Sequence, residues 1–156
     1  MKIRRARLPD VKAIVELTRE FGREGVMIPL SLGDTLERIR NFLLAETAAG
    51  ELIGCVGVDP AWELLAEIRS LAVAKSFQGR GVGRGLMLAA LDDAREFGAE
   101  EVFSLTYVPA FFRRFGFEAT DRNSLPHKIW LVCVKCPKFP DCGEVPVKKR
   151  LRPGPE

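Results

Sequence analysis

The sequence predicts a single α/β domain. Short apolar runs that read as strands are interleaved along the chain with segments whose apolar residues recur at helical spacing. A glycine-rich stretch sits where one strand-like segment hands over to a helical one, the junction typical of α/β folds. The length of 156 residues is near the modal size of a domain, large enough to bury about 68–70% of the surface its unfolded chain exposes around one core.

Each element has its own reason. Lys2–Ala6 reads as an edge strand, and Pro9-Asp10 then opens a helix on whose buried face Val11, Ile14, Val15, Thr18 and Phe21 recur. The stretch from Gly22 to Gly33, with three glycines and Pro29 among apolar residues, reads as a partly buried loop. A helix over Asp34–Asn41 leads into two apolar runs, Phe42–Ala45 and Leu52–Val58, joined at Ala49-Gly50 as a hairpin. Ala66–Val73 is the next strand, and its alternation puts Glu67 and Arg69 on one face, an opposite pair inside an apolar segment. Gly81–Phe97 reads as a helix ended by Gly98, with Met87, Ala90, Leu91 and Ala94 as its buried stripe. A strand over Glu101–Thr106, a short helix from Pro109 to Phe115, and a strand pair at Phe117–Thr120 and Lys128–Val134 complete the domain, expected over residues 1–146.

Composition excludes several classes. With 47% hydrophobic and 29% charged residues the chain is not disordered. Its longest apolar runs, such as Leu86–Leu91, are far short of the roughly 20 residues that cross a bilayer, and the N-terminus carries no apolar signal core, so a cytoplasmic protein without a membrane partner is expected. The net charge of +3 resides wholly in residues 135–156, which hold six basic and three acidic side chains, against 18 of each in residues 1–134. A charge-balanced body argues against nucleic acid as a partner. Residues 147–156, which include Lys148, Lys149, Arg150 and Arg152, are expected to be a flexible basic tail.

The most informative stretch is Gln78-Gly79-Arg80-Gly81-Val82-Gly83-Arg84-Gly85. Between a strand and a helix N-terminus, backbone amides and the helix partial charge can cradle phosphate oxygens. The spacing fits neither a dinucleotide fingerprint, since neither Gly79 nor Gly81 starts a G-x-G-x-x-G, nor a Walker A loop. It fits Gln-x-x-Gly-x-Gly after a strand ending Leu71-Ala72-Val73.

In these residues the chain resembles the GNAT family of acyl-CoA-dependent N-acetyltransferases. Arg7–Asp10 is similar to that family's first strand-to-helix junction, and Phe112-Arg113-Arg114-Phe115-Gly116-Phe117 to its late aromatic-x-x-x-Gly-Phe motif. More narrowly, Ala66–Val73, Phe103–Tyr107, Phe111–Phe117 and Leu125–Trp130 resemble the short amino-acid N-acetyltransferases that make N-acetylglutamate for arginine biosynthesis. The resemblance implies a single-domain GNAT fold, a central mixed, mostly antiparallel sheet flanked by helices. It implies acetyl-CoA as co-substrate, with no metal required. Coenzyme contacts are implied at Leu71, Ala72, Val73, Gln78, Gly79, Arg80, Gly81, Val82, Gly83, Arg84, Gly85 and Phe112. A homodimer is an option the family also uses.

Acetyl transfer to an amine needs a base, an oxyanion donor and a way out for the thiolate. Glu67 is the candidate base, the Leu71 N–H freed by a strand bulge the candidate oxyanion donor, and Tyr107 the candidate acid, since Phe112 stands where many family members have a tyrosine. An acidic amino acid is best gripped by arginine and lysine; Arg69 and Lys128 are the candidates, with Ser70 and Ser31 beside them. Some relatives have Pro-Arg-Ser at the substrate loop, where this chain has Pro29-Leu30-Ser31. Other expectations compatible with the sequence are acetylation of another small amine or a protein N-terminus, and a non-catalytic acetyl-CoA sensor.

His127, Cys133, Cys136 and Cys142 form a separate constellation. Cys-x2-Cys is the usual first half of a zinc knuckle but lacks a second close pair here, so either a weak zinc site or reduced thiols around a Pro137–Pro140 turn fits. Cys55, inside an apolar strand, reads as core.

Overall fold

A computed structural model of the chain describes residues 1–24, 27, 30–126 and 144–151. Its strands are β1 (Lys2–Arg5), β2 (Phe42–Glu46), β3 (Leu52–Trp62), β4 (Leu65–Val73), β5 (Glu101–Thr106), β6 (Glu118–Ala119) and β7 (Val145–Arg150). The helices are α1 (Val11–Arg23), α2 (Leu32–Glu37), α3 (Val82–Glu96) and α4 (Pro109–Arg113). The seven strands run in the order β1-β2-β3-β4-β5-β7-β6, a mixed sheet in which β4 and β5 pair in parallel while β1/β2, β2/β3, β5/β7 and β6/β7 are antiparallel. Instead of the one core expected from the length, the contacts gather into two compact units: Met1–Asp59 with Ile68–Ala94, and Pro60–Glu67 with Arg95–Glu156.

In the first unit, Pro9 occupies the opening turn and the Asp10 carboxylate accepts the Arg7 amide at 2.8 Å, the exchange that starts α1. The same carboxylate takes a bidentate fork from Arg4, both bonds at 2.9 Å, which holds its pKa below the usual carboxylate range. Seven successive positions of β3, from Ile53 to Asp59, are buried, as in a strand covered on both faces. Val11 and Ile14 of α1 join Phe42, Leu44, Cys55 and Ala72 in one core cluster. On the other face α3 comes so close that a Cβ on Gly54 would stand 2.8 Å from Leu86 Cδ1 and 3.2 Å from Val82 Cγ1. The buried stripe of α3, Val82, Leu86, Met87, Ala90, Leu91 and Ala94, is the periodicity that predicts it, and the helix ends with Gly98 at φ +94°.

The second unit packs Ala61, Phe103 and Leu125 together, with Leu65 and Leu105 against them. One sequence expectation changes here. Val145–Arg150 forms β7, paired to β5 on one side and β6 on the other, so residues 147–150 of the expected tail belong to the sheet. Val147 is fully buried and the ammonium of Lys148 lies 3.4 Å from Glu101, which a count of charges along the chain does not reveal. The strand expected at Lys128–Val134 lies outside the described residues, and the partner found for β6 is β7.

Candidate functional site

The strand β4 and the loop after it build the site in the first unit. Ser70 has φ +59°, a left-handed conformation that costs a residue with a Cβ about 1–2 kcal/mol. Its carbonyl accepts a bond from the Cys55 thiol at 3.3 Å. A trans peptide points its carbonyl and the next N–H in opposite directions, so the Leu71 N–H is aimed away from that thiol. The irregularity expected at Leu71 thus has a concrete origin one residue earlier.

Beyond Val73 a 3-10 turn over Lys75–Phe77 leads to the glycines. Gln78 Nε2 donates to the Val73 carbonyl at 3.1 Å, folding the loop back on the strand end. Gly79 and Gly81 sit at φ +78° and +83°, and nothing lies within 4 Å of a Cβ built on either. The Gly85 amide bonds the Gly81 carbonyl at 3.0 Å to begin α3, whose preceding amides form the open N-terminal turn. Arg80 places its guanidinium 5.3 Å over the Phe77 ring. Lys75 is held by Glu24 and Glu20 of the α1 end, which raises its pKa. Backbone donors, positive helix end and open space together suit a pyrophosphate.

A second cluster, which the sequence does not announce, is built on the same unit. Asp59 is buried and accepts from Arg38 Nε at 3.0 and 3.2 Å and from Asn41 Nδ2 at 2.8 Å. The Arg38 guanidinium also lies 4.9 Å over the Phe42 ring and against Gly57, where a Cβ would meet it at 2.7 Å. Arg69 Nε approaches the Asp59 carboxylate at 3.6 Å with a third of its side chain exposed. The one signal in the sequence is an acidic residue inside the apolar β3; its partners are 18 and 21 residues away.

The other expected residues take varied places. Glu67 is half-buried on β4, in register with Phe103. Tyr107 is half-buried just after β5. Phe112, expected at the coenzyme, is 4% exposed and packs edge-to-face on Phe117 at 5.1 Å. Ser31, expected near the acceptor, is the N-cap of α2, accepting the Asp34 amide at 3.0 Å. Lys128, His127, Cys133, Cys136 and Cys142 lie outside the described residues. Among the described residues no group of three His, Cys, Asp or Glu side chains is placed to hold a metal, and no helix is long and apolar enough to cross a membrane.

Sheet, loop and helix end together define an α/β protein whose loop backbone suits a phosphate-bearing cosubstrate. Residues 12–117 match the model of the acetyltransferase (GNAT) family. The chain is 40% identical over 149 residues, 96% of both proteins, to an uncharacterized N-acetyltransferase of Chlorobaculum tepidum. It is 33% identical over 117 residues, 74% of this chain and 67% of the relative, to an amino-acid acetyltransferase of Mycobacterium tuberculosis. A crystal structure of N-acetylglutamate synthase from Neisseria gonorrhoeae, complexed with coenzyme A and N-acetyl-glutamate, superposes with a TM-score of 0.86 at 25% identity, covering 97% of this chain and 35% of that one. The chain belongs to the GNAT family of acetyltransferases, and it is an acetyl-CoA-dependent N-acetyltransferase with amino-acid acetyltransferases among its relatives.

Proposed function

We propose that the enzyme acetylates the α-amine of a small amino acid, L-glutamate first among them, as in the opening step of arginine biosynthesis. One observation carries this reading: within three residues β4 offers a partly exposed guanidinium, Arg69, a left-handed Ser70, and the re-aimed Leu71 amide. That combination suits an acceptor bearing carboxylate next to a thioester carbonyl. The relatives named amino-acid acetyltransferases and the neighbour holding N-acetyl-glutamate support the same acceptor class.

In this reading the pyrophosphate lies on the amides of Arg80 to Gly85, and Leu71–Val73 pair with the pantetheine. Glu67 takes the proton of the attacking ammonium, through a water. The amine nitrogen then forms its bond to the thioester carbon, the oxyanion is stabilised by the Leu71 N–H, and the carbon–sulfur bond breaks to release coenzyme A thiolate. Tyr107 is the candidate to protonate that sulfur, though a thiolate leaves far more readily than an amine anion. Arg69 and Lys128 grip the carboxylates, with Ser70 beside them. The Cys55 thiol, fully buried and with its pKa pushed up to about 12 by that burial, is a poor nucleophile, which argues against an acetyl-enzyme at Cys55.

The test is thiol release from acetyl-CoA over the twenty amino acids, a polyamine and a peptide. A rate highest with glutamate, and weaker with aspartate or glutamine, is expected. Faster acetylation of the peptide or the polyamine contradicts the reading.

A further inference from the structure

We propose that Asp59, clamped by Arg38 and Asn41, is the positioning residue that aims Arg69 at the carboxylate of the acceptor. The inference rests on the amino-acid reading above and adds the means by which the acceptor is selected.

The contacts to Asp59 are unequal. A carboxylate has about four lone-pair directions. On Asp59, Arg38 Nε engages both oxygens at 3.0 and 3.2 Å, and Asn41 takes one at 2.8 Å. Arg38 Nη2 stands a further 2.8 Å from Oδ2. Arg69 Nε, at 3.6 Å from the same Oδ2, is beyond hydrogen-bond range and meets this carboxylate through charge. The Arg38 end is fixed: its guanidinium lies over the Phe42 ring and against Gly57, with both terminal nitrogens buried. The Arg69 end is the exposed one, at 33% against 15% for Arg38. At Asp59, an incoming carboxylate therefore competes for the long contact to Arg69 and leaves the Arg38–Asp59 pair intact. Two guanidinium charges facing one buried carboxylate also favour a further anion over a cation at this place.

Residues from three segments are needed for this: Arg38 and Asn41 from the turn before β2, Asp59 from β3, and Arg69 from β4. Gly57 is part of the device, because a side chain there would displace the Arg38 head. Asp59 and Arg38 act through Arg69 and touch neither substrate.

The experiment is a double-mutant cycle on initial rates with glutamate and acetyl-CoA, using Asp59→Asn and Arg38→Lys, each alone and in an Arg69→Ala background. With Arg69 present, either change is expected to raise the KM for glutamate by about 10-fold or more, the loss expected for misplacing one charge-assisted bond, with the KM for acetyl-CoA unmoved. In the Arg69→Ala background the same changes are expected to add less than about 2-fold, since the side chain they aim is gone. Equal penalties in both backgrounds, or parallel rises in both KM values, overturn the proposal. Should Asp59→Asn fail to fold, Arg38→Lys, which keeps the charge, carries the same test. A wild-type enzyme indifferent to acceptor carboxylates fails the amino-acid reading first and this inference with it. A wild-type enzyme that prefers glutamate while the cycle shows no coupling fails the inference alone.

Discussion

The glycine loop and the Asp59 cluster occupy the same compact unit and are built by opposite means. The loop is contiguous: Val73 to Gly85 fold on themselves through Gln78 and two left-handed glycines, and what they present is backbone. The cluster is discontinuous: Arg38, Asn41, Asp59 and Arg69 come from separate strands and turns, and what they present is charged side chain. A backbone site tolerates any side chain that leaves its torsions alone and fails when φ is forced. A side-chain site tolerates local backbone change and fails when one charge is removed.

Three variants sharpen that contrast, beginning with the largest effect. Glu67→Gln is expected to lower kcat by about 10²–10⁴-fold, the usual worth of a general base, with acetyl-CoA affinity by calorimetry unchanged. An unchanged rate at saturating substrates removes Glu67 from the chemistry. On the loop side, Gly54→Ala drives a methyl against Leu86 and the Ala72 carbonyl beneath the start of α3, at 2.8 and 3.2 Å. A loss of about 1–3 kcal/mol is expected, read as a lower midpoint in urea; a midpoint equal to the wild type shows that α3 yields without cost. The smallest change is Ser70→Gly, which removes a Cβ from a left-handed residue and should raise stability by about 1 kcal/mol. A destabilised Ser70→Gly would mean that the hydroxyl or Cβ holds the strand.

The same contrast explains which features are legible in the sequence. Helix α3 follows from the periodic stripe it buries, and the hairpin of β2 and β3 and strand β5 follow from apolar runs that are buried almost throughout. The glycine loop is readable because left-handed backbone demands glycine and helix starts have a fixed place after strands. The bulge is expected on chemical grounds, but Ser70 carries no local mark of a positive φ. The Arg38 and Asn41 bonds to Asp59 are not readable, since a run such as Glu37-Arg38-Ile39-Arg40-Asn41 looks like an exposed helix face until β3 is placed beside it. Ser31 has a second signature in the sequence: a serine three positions before an acidic residue is also a helix cap, the place it takes at α2. Strand β7 escapes notice because a cluster of lysines outweighs the buried Val147 between them and Val145.

The central claim is the division of labour between the glycine loop and the charged cluster at Arg69, and a crossed kinetic measurement tests it most directly: both KM values for Gly81→Val and for Arg69→Ala in one assay. Gly81 sits at φ +83°, so a β-branched side chain strains the loop by about 1–3 kcal/mol. Gly81→Val is expected to raise the KM for acetyl-CoA and leave that for glutamate, while Arg69→Ala does the reverse. Either variant raising both KM values to the same degree would contradict the division.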